Sequence, residues 1–454
     1  MKNIVALLLV VLSLAAEPVS AQSGTKWVTS WTASVQGPYP VGNPSAQPDQ
    51  SRVFPKSVNG ARDQSFRMIV RPDVWGPKLR VRLSNALGTQ PVTFDGAHVG
   101  LQLSGSQIVA GTNHRLSFAG SDRVTVAPGA SVWSDAVALE FVRDARMLDG
   151  RKLAISFHVA GESGPMTWHA KALTTSYATF PDAGARGHQY AEVAFPAPTA
   201  SWFFIDAVDM QMPASTRVIV AFGDSITDGT ASTMNADDRW PDVLSRRLHA
   251  KYGQQVAVIN AGIGGNRVIG PATYAPDKPF PGGPSALSRL ERDVLTLSGV
   301  SAVIWLEGIN DFSKNGNATS DAVIAGMKEG VARVRAHIPG VRVIGATVAT
   351  ALGSSSAAHG HAEQDENRRA LNEFIRTSGV FDAVAEFDKA TIDSTTGGLL
   401  PEFVPESTTG GVGDKLHPNR LGYQAMGMAI DLDTLFLPPL SQAATKLKAK
   451  RVAQ

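Results

Sequence analysis

The chain has 454 residues, 43% hydrophobic and 18% charged, enough apolar content to bury a sizeable core and too much for a disordered protein. Lys plus Arg number 42 against 40 Asp plus Glu, a net +2, and four of the positive charges (Lys446, Lys448, Lys450, Arg451) crowd the last nine residues, so no basic surface suited to nucleic acid remains. The absence of cysteine excludes disulfides, thiolate metal sites and a cysteine nucleophile.

At the N-terminus, Lys2, an apolar run over 4–16 and Val19-Ser20-Ala21 read as a signal peptide over residues 1–21, cleaved before Gln22. The run is short for a spanning helix; an uncleaved anchor is the alternative. The expected location is the periplasm or the exterior, with no stable membrane insertion after cleavage, and a cysteine-free exported chain fits a bacterium better than an animal.

Residues 22–200 read as an all-β domain, a sandwich or jelly roll. Phe66, Met68 and Val70, then Leu79, Val81 and Leu83, then Val124 and Val126, then Leu153, Ile155, Phe157 and Val159 alternate at period two, between Gly and Pro turn signals. Trp27 and Trp31 near the mature start suit packing better than sugar binding.

Over 201–440 the pattern changes, past about residue 215, to strands alternating with helices. Continuous apolar runs at 218–222, 256–259, 302–306 and 341–348 read as strands covered on both faces. Leu244, Leu248 and Tyr252 behind Trp240-Pro241, then Leu287, Leu290, Val294 and Leu297, then Val323, Met327 and Val331, then Leu371 and Ile375 recur at helical spacing. This order predicts a parallel sheet with helices on both faces. Loops 270–284, 353–363 and 393–413 are long and rich in small residues, and 441–454 is a basic tail.

The chemistry-bearing residues sit where strands end. Gly223-Asp224-Ser225-Ile226-Thr227-Asp228-Gly229 follows the first buried strand, at the sheet edge where open α/β folds bind ligands; a plain N-cap serine explains that motif alone equally well. A serine nucleophile needs a base. In Asp414-Lys415-Leu416-His417-Pro418 one short loop delivers a carboxylate for one ring nitrogen and leaves the other to face Ser225. Acyl transfer also needs oxyanion donors, which Asn260-Ala261-Gly262-Ile263-Gly264-Gly265-Asn266 and Gly308-Ile309-Asn310-Asp311 can supply. Each motif alone is ordinary turn or cap chemistry.

Together, in this order, the four motifs resemble the SGNH hydrolase superfamily, the GDSL esterases and lipases, across roughly residues 216–437. The resemblance implies a flavodoxin-like three-layer fold. It implies Ser225 as nucleophile and first oxyanion donor, Gly265 (with Gly264 as competitor) and Asn310 as further donors, His417 as base and Asp414 as its orienting carboxylate. It implies ester hydrolysis through an acyl-enzyme, with no metal or organic cofactor. Some exported members with an appended β-sandwich remove acetyl groups from cell-wall polysaccharides. The expected substrates are therefore short-chain acyl esters, O-acetylated carbohydrates first. A lipase or lysophospholipase, an acyltransferase, and a carbohydrate-binding protein with an inactive hydrolase domain are the alternatives.

Other residues carry weaker signals. His359-x-His361 has metal-site spacing but no obvious third ligand, and reads as a solvated or substrate-facing loop. Glu307 is either buried against the site or paired with Arg267, itself a candidate for an ion pair or a substrate contact. Trp240 and Trp305 read as core, and Tyr274 and Phe280 as possible substrate contacts. Oligomeric state is not legible.

Overall fold

In the computed structural model, residues 24–436 are described. The signal peptide read over 1–21 and the tail 441–454 lie outside the described residues. The longer strands of the first half are β1 (Thr25–Thr32), β2 (Arg62–Val70), β3 (Lys78–Ser84), β4 (Val92–Leu101), β5 (Leu153–Glu162) and β6 (Ile205–Pro213). They form two antiparallel sheets. One runs β1, β6, β3 and the short strand Ser131–Trp133; the other has β2, β5 and β4 at its centre. Phe204 lies between them, with its ring centroid 5.8 Å from Phe66, 5.3 Å from Phe94 and 6.4 Å from Phe157. A short third sheet joins Trp202–Phe203, Thr167–His169 and Gly37–Pro38.

The second half is β7 (Arg217–Gly223), α1 (Ser225–Asp228), α2 (Trp240–Tyr252), β8 (Val256–Gly262), α3 (Ala286–Leu290), β9 (Val300–Leu306), α4 (Ser320–His337), β10 (Arg342–Ala346), α5 (Ala362–Thr377), β11 (Ala383–Ala385), α6 (Phe387–Thr391) and α7 (Arg420–Ala429). Its strands are all parallel and run β8, β7, β9, β10, β11. In order along this half that is 2-1-3-4-5, the flavodoxin-like arrangement, with helices on both faces. Val218 to Phe222 of β7 are wholly buried, as a central strand covered on both faces requires.

Two expectations change. The antiparallel part does not stop at 200: β6 pairs with β1 from Thr25↔Pro213 onward, so the change of architecture falls between Pro213 and Arg217. The helix expected across Leu287 to Leu297 divides into α3 and a wider π-turn over Glu291–Leu295. Arg289 and Arg292, one on each segment, reach Asp293 at 3.1 and 2.6 Å.

The two halves share one contiguous apolar core. Val28 of β1 is fully buried, and Thr29 exchanges two hydrogen bonds with Ser298. Asp73, in the loop after β2, is buried: its carboxylate accepts from Ser245 Oγ at 2.5 Å and Val258 N–H at 2.6 Å, and lies 3.4 Å from His249. Thermal unfolding followed by calorimetry is therefore expected to show one transition for both halves. Asp73→Ala, which orphans two buried donors, is expected to destabilise by about 3 kcal/mol in urea titrations.

Candidate active site

In a 2-1-3 strand order, the loops after β7, β8 and β9 are neighbours at the carboxyl edge of the sheet. Asp224 caps α1 by accepting the Ile226 N–H, which places Ser225 at the first helical position. Asn260 accepts the Gly262 N–H and donates to Thr227 O, drawing the second loop against α1. A Cβ on Gly262 would lie 2.3 Å from Asp228 N, so only glycine permits this approach.

The structure brings Ser225, His417 and Asp414 together. Ser225 Oγ is 2.8 Å from His417 Nε2, and His417 Nδ1 is 2.6 Å from Asp414 Oδ2. The other Asp414 oxygen accepts the N–H groups of Leu416 and His417 at 2.9 Å each. Burial works against its charge, but the hydrogen bonds from His417 and these amides hold the Asp414 carboxyl well below the usual range. An ionised carboxylate only accepts, so Nδ1 carries the proton and Nε2 accepts from the serine hydroxyl.

The loops also separate the two adjacent glycines. Gly264 N–H is used, donating to Asp228 Oδ2 at 3.0 Å, while Gly265, at φ +82°, makes no hydrogen bond through its N–H among the described residues. Asn310 Nδ2 spends one N–H on Asn266 O at 2.9 Å, which fixes the amide and leaves the other free.

Beneath these loops Arg289 is buried. It donates to Asn266 Oδ1, Gly223 O and Ala261 O at 2.7–2.8 Å. Glu307 is wholly buried and 3.6 Å from Arg289, and it accepts the Trp305 indole N–H; it does not pair with Arg267. Burial pushes its pKa up to about 7. Trp240 and Trp305 are core. Trp31 is buried edge-on against Trp202, and Trp27 lies under Arg80. Tyr274 donates its hydroxyl to Gln36 O, and Phe280 lies under the Arg267 guanidinium. His359 contacts Gln364, and His361 caps α5. No group of three His, Asp or Glu side chains suited to a metal ion occurs among the described residues.

Residues 221–425 match the GDSL-like lipase/acylhydrolase family. This α/β unit belongs to that family, within the SGNH hydrolases. The chain is accordingly a carboxylic ester hydrolase, and its β-rich half lies outside the matched residues. A comparison with curated proteins finds no match. Among solved structures the esterase is similar to Est24, a carbohydrate acetylesterase from Sinorhizobium meliloti, at 17% identity over 49% of this chain and 100% of that one, with a TM-score of 0.35. It is similar to the M. smegmatis aryl esterase at 18% identity over 49% and 100%, TM-score 0.36. The Enterococcus faecalis lipase/acylhydrolase matches at 24% over 47% and 93%, TM-score 0.34. Among the described residues no helix is long and apolar enough to cross a membrane.

Sequence reasoning missed what the β half of the esterase adds. Asn43 donates to Gly264 O at 2.8 Å, and Lys171 donates to Thr230 Oγ1. His169 is buried with acceptors at both ring nitrogens: Ser34 O at 2.7 Å from Nδ1, and Asp228 Oδ1 and Lys171 O at 3.1 Å from Nε2. A ring that can only donate at both ends holds both protons. Against burial, which lowers it, the Asp228 charge raises the His169 pKa. Asp228 thus clamps the turn through Gly264 N–H while itself held by an imidazolium. No local pattern around Trp168-His169 marks this role.

A raised folded-state pKa stabilises fully below the unfolded value, about 6.5, and the gain disappears as pH rises through the folded value. His169→Gln is expected to be less stable than wild type, with the largest deficit below about pH 6.5 and a narrowing gap at higher pH in urea titrations.

Proposed function

We propose that the protein is an exported serine esterase acting on short-chain acyl esters, O-acetyl groups on carbohydrates first, through a Ser225–His417–Asp414 acyl-enzyme mechanism. The observation that carries the reading is the 2.8 Å contact from Ser225 Oγ to an imidazole whose other nitrogen is held by an ionised carboxylate. Ser225 Oγ attacks the ester carbonyl as its proton passes to His417 Nε2. The oxyanion is received by the N–H groups of Ser225 and Gly265 and the free amide N–H of Asn310. His417 then protonates the leaving alcohol, and water attacks the acyl-enzyme by the same route. Polar side chains close to these loops (Asn43, Arg267, His359) favour a small acyl group and a polar alcohol. Export rests on the reading of residues 1–21.

A lipase preference is the second reading, and one observation favours it. A largely apolar cavity of about 610 Å³, lined by Leu352, Leu399, Val404, Pro405 and Val412, also touches Lys415 of the Asp414–His417 loop.

Initial rates on p-nitrophenyl esters from acetate to palmitate distinguish the two. Peak activity is expected at acetate or butyrate, and a maximum at long chains selects the lipase. Ser225→Ala is expected to lower kcat by about 10⁴-fold or more, and Asn310→Ala by about 10²–10³-fold. Activity that survives in Ser225→Ala overturns the mechanism.

A further inference from the structure

Arg267 lies two residues beyond Gly265, its guanidinium 4.7 Å above the Phe280 ring. It is half-buried, yet its side chain makes no hydrogen bond or ion pair among the described residues, and its Nε is enclosed without an acceptor. Asp311, the carboxylate whose charge it feels, already accepts the N–H groups of Val268 and Ile269 at 2.9 and 3.2 Å. A partly desolvated cation without a direct ion pair is costly unless something pairs with it. Its planar fork suits a carboxylate bidentately.

Loop 353–361 supplies a second donor. It is tied on one side to the Asp414 carbonyl through Ser354 Oγ at 2.9 Å and Ser355 N at 3.1 Å. On the other side Lys314 N–H donates to Ala358 O, and Gln364 bonds Ile309 O. His359 therefore stands between the loop of Asn310 and the loop of His417. Its tautomer is fixed by Gln364: that amide oxygen accepts the Gly360 N–H at 2.8 Å, so its nitrogen faces His359 Nδ1 at 2.7 Å and must donate. Nδ1 accepts, and the ring proton sits on Nε2, which makes no hydrogen bond among the described residues. Burial, with the neighbouring His417, His361 and Arg267, pushes the His359 pKa down to about 4, so the ring stays a neutral donor at working pH.

We propose that Arg267 and His359 form a subsite for a carboxylate on the alcohol part of the ester, so that O-acylated sugar acids are preferred to their neutral counterparts. The proposal rests on the esterase reading above. Arg267 supplies the charge and a two-pronged contact, and His359 Nε2–H supplies one further hydrogen bond without a second charge to desolvate.

The test uses the methyl glycoside of galacturonic acid, its carboxylate free, and methyl galactoside as inhibitors of p-nitrophenyl acetate hydrolysis, and as ligands of the Ser225→Ala protein in calorimetric titrations. The uronate is expected to inhibit competitively and at least about tenfold more tightly than the galactoside, an advantage that shrinks with added salt. Arg267→Gln is expected to abolish that advantage, Arg267→Lys to keep part of it, and His359→Phe to reduce it several-fold. Equal inhibition by the two sugars in wild type, or an advantage that persists in Arg267→Gln, overturns the subsite. If hydrolysis disappears in Ser225→Ala while both sugars bind alike, the esterase stands and the subsite falls. If Ser225→Ala still hydrolyses, the serine mechanism falls, and the titrations still decide the subsite.

Discussion

The geometry of the site depends on one buried cation. Arg289 is fully buried, and its N–H groups are satisfied by the carbonyl ends of β7 and β8, by Asn266, by Asp293 and by Ser34 of the β half. Two of those acceptors, Gly223 O and Ala261 O, belong to the strand ends from which the Ser225 and Gly265 loops depart. Placing one rigid guanidinium across them fixes the separation of the Ser225 loop and the glycine turn more firmly than either loop can alone. The desolvation this incurs is offset because nearly every donor has a well-placed acceptor, with Asp293 supplying charge at 3.1 Å.

The same economy explains why the β half is fused so tightly to the catalytic one. His169, Asn43 and Ser34 all reach the carboxyl edge of the parallel sheet from the other half of the chain. The Gly264-Gly265 turn is thus held from two sides, by Asp228 below its Gly264 N–H and by Asn43 on its Gly264 carbonyl. A turn with a left-handed glycine and no regular hydrogen-bond ladder needs such outside support to keep an N–H aimed at one point.

Much of this was legible in the sequence, and the reasons are physical. The strands β7 to β10 are buried on both faces and so read as unbroken apolar runs, and the four motifs lie at their ends, where turn chemistry restricts residue choice. Ser225, Gly265, Asn310, Asp414 and His417 are therefore visible without a structure, and the fold gathers their loops at one edge. The strand β6 was missed because Asp206 and Asp209 interrupt its hydropathy; both are buried and paired, with Arg82 and Arg80. Arg289 and His169 left no trace for the same reason. Most of their partners lie tens to hundreds of residues away, and a lone Arg or His in a local window looks like surface. Of the two alternatives left open for Glu307, burial and a pair with Arg267, the structure shows burial, with Arg289 of a short helix as the nearby cation.

The pairing of β1 with β6 also sets a timetable for the nascent chain. Thr29 and Asp209 are joined side chain to side chain across 180 residues, and both strands then meet the α/β half at Ser298. At a synthesis rate of roughly 5–20 residues per second, β1 has been made for about 10–40 s before its partner exists. Its edge is unpaired for all of that time, a state in which strands join the wrong neighbour. The first strand of the described residues thus gains its partner only once nearly all of the β half has been synthesised.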